Sequence, residues 1–267
     1  MRAMPIRVLT GTGGITQLKA SFRKNWKYYV QEALGLAIFM ISACFFGAML
    51  EGETAAWHLA ITNGTVRTII MGLLMGATAL FIFYSPWTSP SGSHINPAVT
   101  LSFLRLGKMC YRDTIFYVLF QLAGGTMAVY MMQWLMGPIL IAAPVRSVVT
   151  VPGKAGVWPA CFMELTIAFV TMSMVLFTSA STRYKNYTRI IAGCLVCSYV
   201  IIAGPVSGFG MNPARSFASA LPAHIWTAAW IYMIIPVAGM LGAVEFFLLV
   251  NHFKKNTKNT NAIVNDM

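Results

Sequence analysis

Two tripeptides carry the most specific chemistry in the chain, Asn96-Pro97-Ala98 and Asn212-Pro213-Ala214. Asparagine is a favoured helix N-cap, and proline is favoured at the first helical position, where its missing N–H would go unpaired anyway. The residues that follow, as far as Gly107 and Pro222, allow helices of about ten residues, or roughly 15 Å. Such a helix reaches half-way through a membrane. Two of them meeting end to end would bring together two N-termini, each carrying about half a positive elementary charge, and would repel cations. If each asparagine caps its own helix through its side-chain oxygen, its amide N–H groups stay free for a solute. A water held between two such amides would lose the like-oriented hydrogen bonds that proton relay needs. One Asn-Pro-Ala would read as a loop turn; two at matching places do not.

Three charged residues sit in apolar surroundings. Glu32 and Glu164 lie within hydrophobic runs, and Arg215 follows the second tripeptide directly. Facing lipid at depth would cost Arg215 several kcal/mol, so it is expected to face a polar conduit. The two acids are expected to bind backbone N–H groups of the segments before each asparagine. A proton relay would need a titratable partner, and no histidine lies in either run. His94 is expected to bond within its own segment, with its ring also able to face water. Glu245 is left with two readings, a buried acid or one that snorkels to the surface.

The elements that must position these groups are membrane spans. Of the 267 residues 57% are hydrophobic and 10% charged, against about a quarter charged in a soluble domain. Six stretches, at about 28–50, 67–86, 113–136, 158–180, 189–206 and 226–250, are long enough to cross the hydrocarbon. Placing the tails and the 87–112 and 181–189 connections on one side collects 15 of the 19 Lys and Arg there, which predicts cytoplasmic termini. The net charge of +12 forms no compact stripe for nucleic acid. The basic start leads into a span longer than a cleavable signal core, so the first helix is expected to stay as an anchor.

The chain also repeats. Ser91-Gly92-Ser93-His94-Ile95-Asn96-Pro97-Ala98 is echoed by Ser207-Gly208-Phe209-Gly210-Met211-Asn212-Pro213-Ala214. Each copy lies between the second and third spans of a triplet that opens with an embedded acid. Because three is odd, the second triplet enters from the opposite face, giving an inverted repeat. The fold class is therefore an all-α membrane protein with six transmembrane helices and two re-entrant half-helices. We expect a tail over 1–26, a channel unit over 27–251 (repeats about 27–136 and 158–251) and a tail over 252–267.

Other features carry less. The five cysteines imply no disulfide framework, and Cys194 and Cys197 lack the second ligand pair a metal site would need. No metal, cofactor or enzymatic constellation is read. Gly35, Gly124, Gly125, Gly193, Gly239 and Gly242 suit close helix crossings. Asn63-Gly64-Thr65 has the form of a glycosylation sequon, for which chance is the better explanation.

The two eight-residue stretches, with their continuations Val99-Thr100 and Arg215-Ser216-Phe217, resemble the major intrinsic protein family of aquaporins and aquaglyceroporins. Glu32, Gln121 and Glu164 are supporting matches, and the run from Ser85 to Lys108 looks like bacterial members. The likeness covers residues about 27–251. It implies a homotetramer with one pore per subunit, and in that family the half-helix dipoles form a barrier to protons and cations. It also implies a selectivity ring of Arg215, Phe209, Val200 and one second-span residue, either Gly76 or Met75. Val200 where strict water channels often have His, and Gly76 in place of an aromatic, would make the ring wide and apolar. Phe209 opposite Val200 leans toward a glycerol-type wall, whereas Ala214 after Asn-Pro and the short loop into that motif lean toward water. The balance favours passive passage of water, with small neutral solutes as the alternative. An alternating-access transporter shares inverted repeats and broken helices, but the chain offers few embedded charges to hold a driving ion. A non-conducting scaffold of the same fold is a third reading.

Overall fold

The computed structural model describes residues 12–265. Its principal helices are α1 (Thr12–Glu51), α2 (Gly64–Tyr84), α3 (Pro97–Arg105), α4 (Tyr111–Met136), α5 (Val157–Ala180), α6 (Thr188–Ile202), α7 (Pro213–Ala223) and α8 (Ala229–Asn265). No strand occurs among the described residues. Helix α1 starts ahead of the span expected from residue 28, and α8 runs past the end expected at 250. Neither 15–34 nor 243–265 contains a Gly or Pro to stop a helix. Arg2 and Arg7 lie outside the described residues, as do the side chains of Lys254, Lys255 and Lys258.

Among the described residues five helices, α1, α2, α4, α5 and α8, are long and apolar enough to cross a membrane. The span expected at 189–206 is made differently. Helix α6 has 15 residues, about 22 Å at the usual rise, and a short helix, Gly204–Ser207, continues it. Pro205 accounts for the break, since it has no N–H for the preceding turn. Side chains such as Leu73, Leu119, Met127, Trp134 and Phe162 are exposed, as lipid-facing residues would be.

Packing follows the repeat. Helix α1 lies along α4 as α5 lies along α8, and α2 lies along α6. The half-helices are exchanged, with α3 against α8 and α7 against α4. Two of the glycines expected at crossings are indispensable there: a methyl group on Gly124 would sit 2.3 Å from the Ala33 carbonyl oxygen, and one on Gly239 would sit 2.7 Å from that of Leu165. Gly35 serves another purpose, making room for the Ile95 side chain rather than for a helix. Gly242 meets only the Phe169 ring at ordinary distance, so nothing there requires glycine.

Surface polar residues tie the ends. Asn63 caps α2, its side-chain oxygen accepting from Thr65 N at 2.9 Å and Val66 N at 3.2 Å, which explains Asn-Gly-Thr at this point without a glycan. Glu245 settles as a surface acid, with its Oε1 2.7 Å from Arg105 Nε, linking α8 to the end of α3. Cys194 is exposed and Cys197 packs beside Gly76; neither is paired with another cysteine.

Candidate functional site

Each Asn-Pro-Ala opens a helix as its residues dictate. Asn96 is extended (φ −152°, ψ 121°) and its Oδ1 accepts from Ala98 N at 2.9 Å. Asn212 (φ −141°, ψ 107°) accepts from Ala214 N at 3.0 Å and Arg215 N at 3.2 Å. Pro97 and Pro213 take the first helical positions, where no N–H is missed. At the far ends, Gly107 follows α3 with φ 70°. Helix α7 passes through Pro222, the expected stop, and ends at His224 (φ 53°). Proline there forfeits one bond in the last turn but still permits helical φ.

The amides are not as free as the sequence suggested. Asn96 Nδ2 donates to the Met211 carbonyl at 2.9 Å, and Asn212 Nδ2 donates to the Ile95 carbonyl at 2.7 Å. The tips of the two re-entrant segments come close enough for each amide to bridge to the other repeat. A primary amide carries two N–H groups, so one per asparagine remains after the bridge. Two helix N-termini thus face a common centre, their caps cross-linked.

The segments leading to each asparagine wind alike. Gly92, Ser93 and Ile95 have φ of 93°, 48° and 42°; Gly208, Phe209 and Met211 have 76°, 51° and 48°. Positive φ is unfavourable for L-residues, and most for a β-branched one such as Ile95. Buried carboxylates hold this backbone in place. Glu32, from α1, accepts from Ser91 Oγ at 2.6 Å, His94 N at 3.0 Å and Ile95 N at 2.6 Å. Glu164, from α5, accepts from Ser207 Oγ at 2.6 Å, Gly210 N at 2.8 Å and Met211 N at 2.5 Å. Tyr117 donates to the Ser91 carbonyl at 2.8 Å and Tyr232 to that of Ser207 at 2.7 Å. With the N–H groups drawn to the acids, the carbonyls of Gly92, Ser93 and His94 accept no hydrogen bond from the described residues, and all three residues border a cavity.

That cavity has a volume of about 540 Å³ and is walled by both repeats. Phe39 of α1, Ala79 and Phe83 of α2, Ala192 and Val196 of α6, Asn96 and Asn212 all line it. One end reaches the α5–α6 turn at Lys185, Asn186 and Arg189; Phe209 and Arg215 also border it. Arg215 Nη1 donates to Thr150 Oγ1, so its guanidinium is anchored. Phe209 is buried and packs against the Tyr199 ring at 5.9 Å.

Of the ring positions named from the sequence, Phe209 and Arg215 border the cavity, while Gly76, its alternative Met75, and Val200 do not. A methyl group on Gly76 would point at Cys197 Cβ, 2.8 Å away, so this glycine serves the α2–α6 contact and opens no extra room. Met75 is one turn before Ala79 and Phe83, in register with the lining face of α2, and it clusters with Phe209 and Val200. The lining residues Phe39, Ala79 and Val196 carried no sequence signal, being ordinary apolar residues in apolar helices. Thr150 was missed because the irregular 149–156 segment holds no motif.

Repeat one has additions. His94 Nδ1 lies 3.2 Å from Thr100 Oγ1, and its ring stacks on Phe103 at 4.7 Å. Gln121 Nε2 donates to Glu32 Oε2 at 2.8 Å and reaches Thr100 Oγ1 at 3.2 Å. In repeat two Gly210 stands in place of His94, and a methyl group there would meet the Tyr232 ring at 2.5 Å.

Comparison with known proteins points the same way as this geometry. Residues 19–246 match the family model described as Major intrinsic protein. The chain is 33% identical over 225 residues to aquaporin NIP2-3 of Zea mays, covering 84% of this chain and 69% of that one. It is also 33% identical over 216 residues to aquaporin NIP1-4 of Oryza sativa subsp. japonica, covering 80% and 74%. The X-ray structure of the aquaglyceroporin from Plasmodium falciparum superposes with a TM-score of 0.68 at 18% identity, over 83% of this chain and 94% of that one, a likeness of fold. With two opposed half-helices, each held by a buried glutamate, and a family match spanning both repeats, the chain belongs to the major intrinsic protein family.

Proposed function

We propose that the protein is a passive, bidirectional channel for water that rejects protons and other ions. The observation that carries this reading is the pair of capped helix N-termini, cross-bonded through Asn96 and Asn212, in the wall of one cavity shared by both repeats. Their dipoles oppose a cation at the centre, and Arg215 adds a fixed positive charge nearby. Each asparagine's remaining N–H offers a water oxygen a donor, while the loop carbonyls of Gly92, Ser93 and His94 replace its lost hydration. Water can exchange partners along such a wall, whereas a hydronium chain is interrupted at the asparagines.

Small neutral solutes form the second reading. Phe39, Phe83, Val196 and Phe209 give the cavity an apolar side opposite its carbonyls and Arg215, which suits a molecule with both hydroxyl and hydrocarbon faces. A transporter is disfavoured because Glu32 and Glu164, the buried acids among the described residues, are spent on loop N–H groups rather than left free for a driving ion. We further propose residues 27–251 as the channel unit, cytoplasmic termini, a multi-pass position in the plasma membrane and a homotetramer among lipids. Osmotic shrinkage of reconstituted vesicles, followed by light scattering, tests the main reading; shrinkage no faster than in empty vesicles would overturn it. Swelling in an inward glycerol gradient separates the two solute readings, and uptake that requires an ion gradient would revive the transporter.

A further inference from the structure

Met211 precedes the second asparagine, and its counterpart in repeat one is Ile95. Its main chain is pinned on both sides, the N–H by Glu164 and the carbonyl by Asn96. Its side chain borders the cavity, and its Sδ accepts from Thr171 Oγ1 at 3.3 Å. Met240, the other sulfur-bearing residue on this wall, is fully buried, whereas Met211 is only partly so. Among the described residues no cysteine lines the cavity. Thr171 engages one of the two sulfur lone pairs and leaves the other available.

We infer that Met211 is an oxidation site inside the conduit, where a peroxide-class oxidant turns the thioether into a sulfoxide and slows permeation. The inference rests on the proposed reading, because the oxidant must enter as a water-sized neutral molecule. A sulfur lone pair attacks one peroxide oxygen and forms the S–O bond while the O–O bond breaks. Sulfur loses two electrons, the peroxide is reduced, and the departing hydroxide takes the proton of the new S–OH⁺ group, leaving water and the neutral sulfoxide. The product is a polar, chiral group in place of a flexible apolar one. Its new oxygen adds a strong hydrogen-bond acceptor to the wall that Met211 shares with Asn96 and Asn212, where it holds back passing water. Ile95 has no such chemistry, so the sensitivity belongs to repeat two alone.

The test uses the full chain in vesicles treated with hydrogen peroxide, the excess then being removed. Peptide mass mapping is expected to find one added oxygen on Met211, and osmotic shrinkage is expected to slow several-fold. Met211→Leu, or Met211→Ile copying repeat one should the first fold poorly, is expected to conduct equally before and after treatment. An unmodified Met211 alongside oxidised Met109, a partly exposed methionine between α3 and α4 that does not line the cavity, or an equal loss of permeation in wild type and variant, would overturn the inference. Untreated vesicles no more permeable than empty ones would overturn the channel reading and this inference with it, before any oxidant is added.

Discussion

The two re-entrant segments share one scaffold and differ in what they hang on it. In each, a glutamate from the first helix of the repeat binds a serine and two successive N–H groups, and a tyrosine from the third spanning helix, α4 or α8, binds the serine carbonyl. Repeat one then adds His94, Thr100 and Gln121, all bonded inward. Repeat two instead carries Phe209, Met211 and Arg215 at the cavity, which His94 also borders from repeat one. Duplication thus supplied a symmetric frame, and divergence gave one half extra internal bonding beside its loop carbonyls and the other the Phe209, Met211 and Arg215 side chains at the cavity.

The strongest way to break this comparison is at the helix crossings beneath it. Gly124→Val and Gly239→Val should both abolish the folded protein, because each new side chain collides with backbone that no rotamer avoids. The milder Gly124→Ala should lower the thermal midpoint more than Gly239→Ala, since its approach is closer; equal shifts would weaken the case.

Next in size are the acids. Glu32→Ala and Glu164→Ala each leave two loop N–H groups without their acceptor, at about 1–3 kcal/mol per buried group, while Ser91 and Ser207 can still donate to the Thr88 and Ala203 carbonyls. A marked loss of thermal stability in detergent is expected for both, with Glu32→Ala also freeing Gln121. A loss confined to one acid would show the frame to be less symmetric than drawn.

Asn96→Asp and Asn212→Asp probe the meeting point. Each keeps an oxygen to cap its helix but removes the amide donor, breaks one cross-repeat bond worth about 1 kcal/mol, and sets a negative charge at the centre. Proton leak, followed with a pH dye inside vesicles, should rise in both variants and most in the double variant. The smallest effect belongs to Gln121→Leu, which removes an addition found only in repeat one; about 1–2 kcal/mol of stability should go, with water permeation nearly unchanged.

Much of this frame was legible in the sequence because it rests on residues that are expensive where they stand. A glutamate in an apolar run demands donors, and an Asn-Pro pair after Gly and Ser demands a helix start at depth. Those demands pointed to Glu32, Glu164, Asn96 and Asn212 without coordinates. The cavity wall was another matter. Ala79 and Val196 are cheap in any apolar helix, so only the rotation of α2 and α6 about their contact decides what faces inward. Counting residues back from the asparagines gave Gly76 and Val200, but the glycine turns out to serve that contact. The break in α6 at Pro205 and the second use of the asparagine amides were likewise decided by how the segments meet.

The central claim is that solute passes through the cavity between the repeats, and Ala192, on its wall near the exposed end, allows the most direct test. Water permeability should be measured by osmotic shrinkage of vesicles holding wild type or Ala192→Trp, with circular dichroism verifying that both are folded. Wild-type vesicles should shrink far faster than empty ones, and the tryptophan variant should fall to the empty-vesicle rate. A folded Ala192→Trp protein that conducts water as well as wild type would contradict the account.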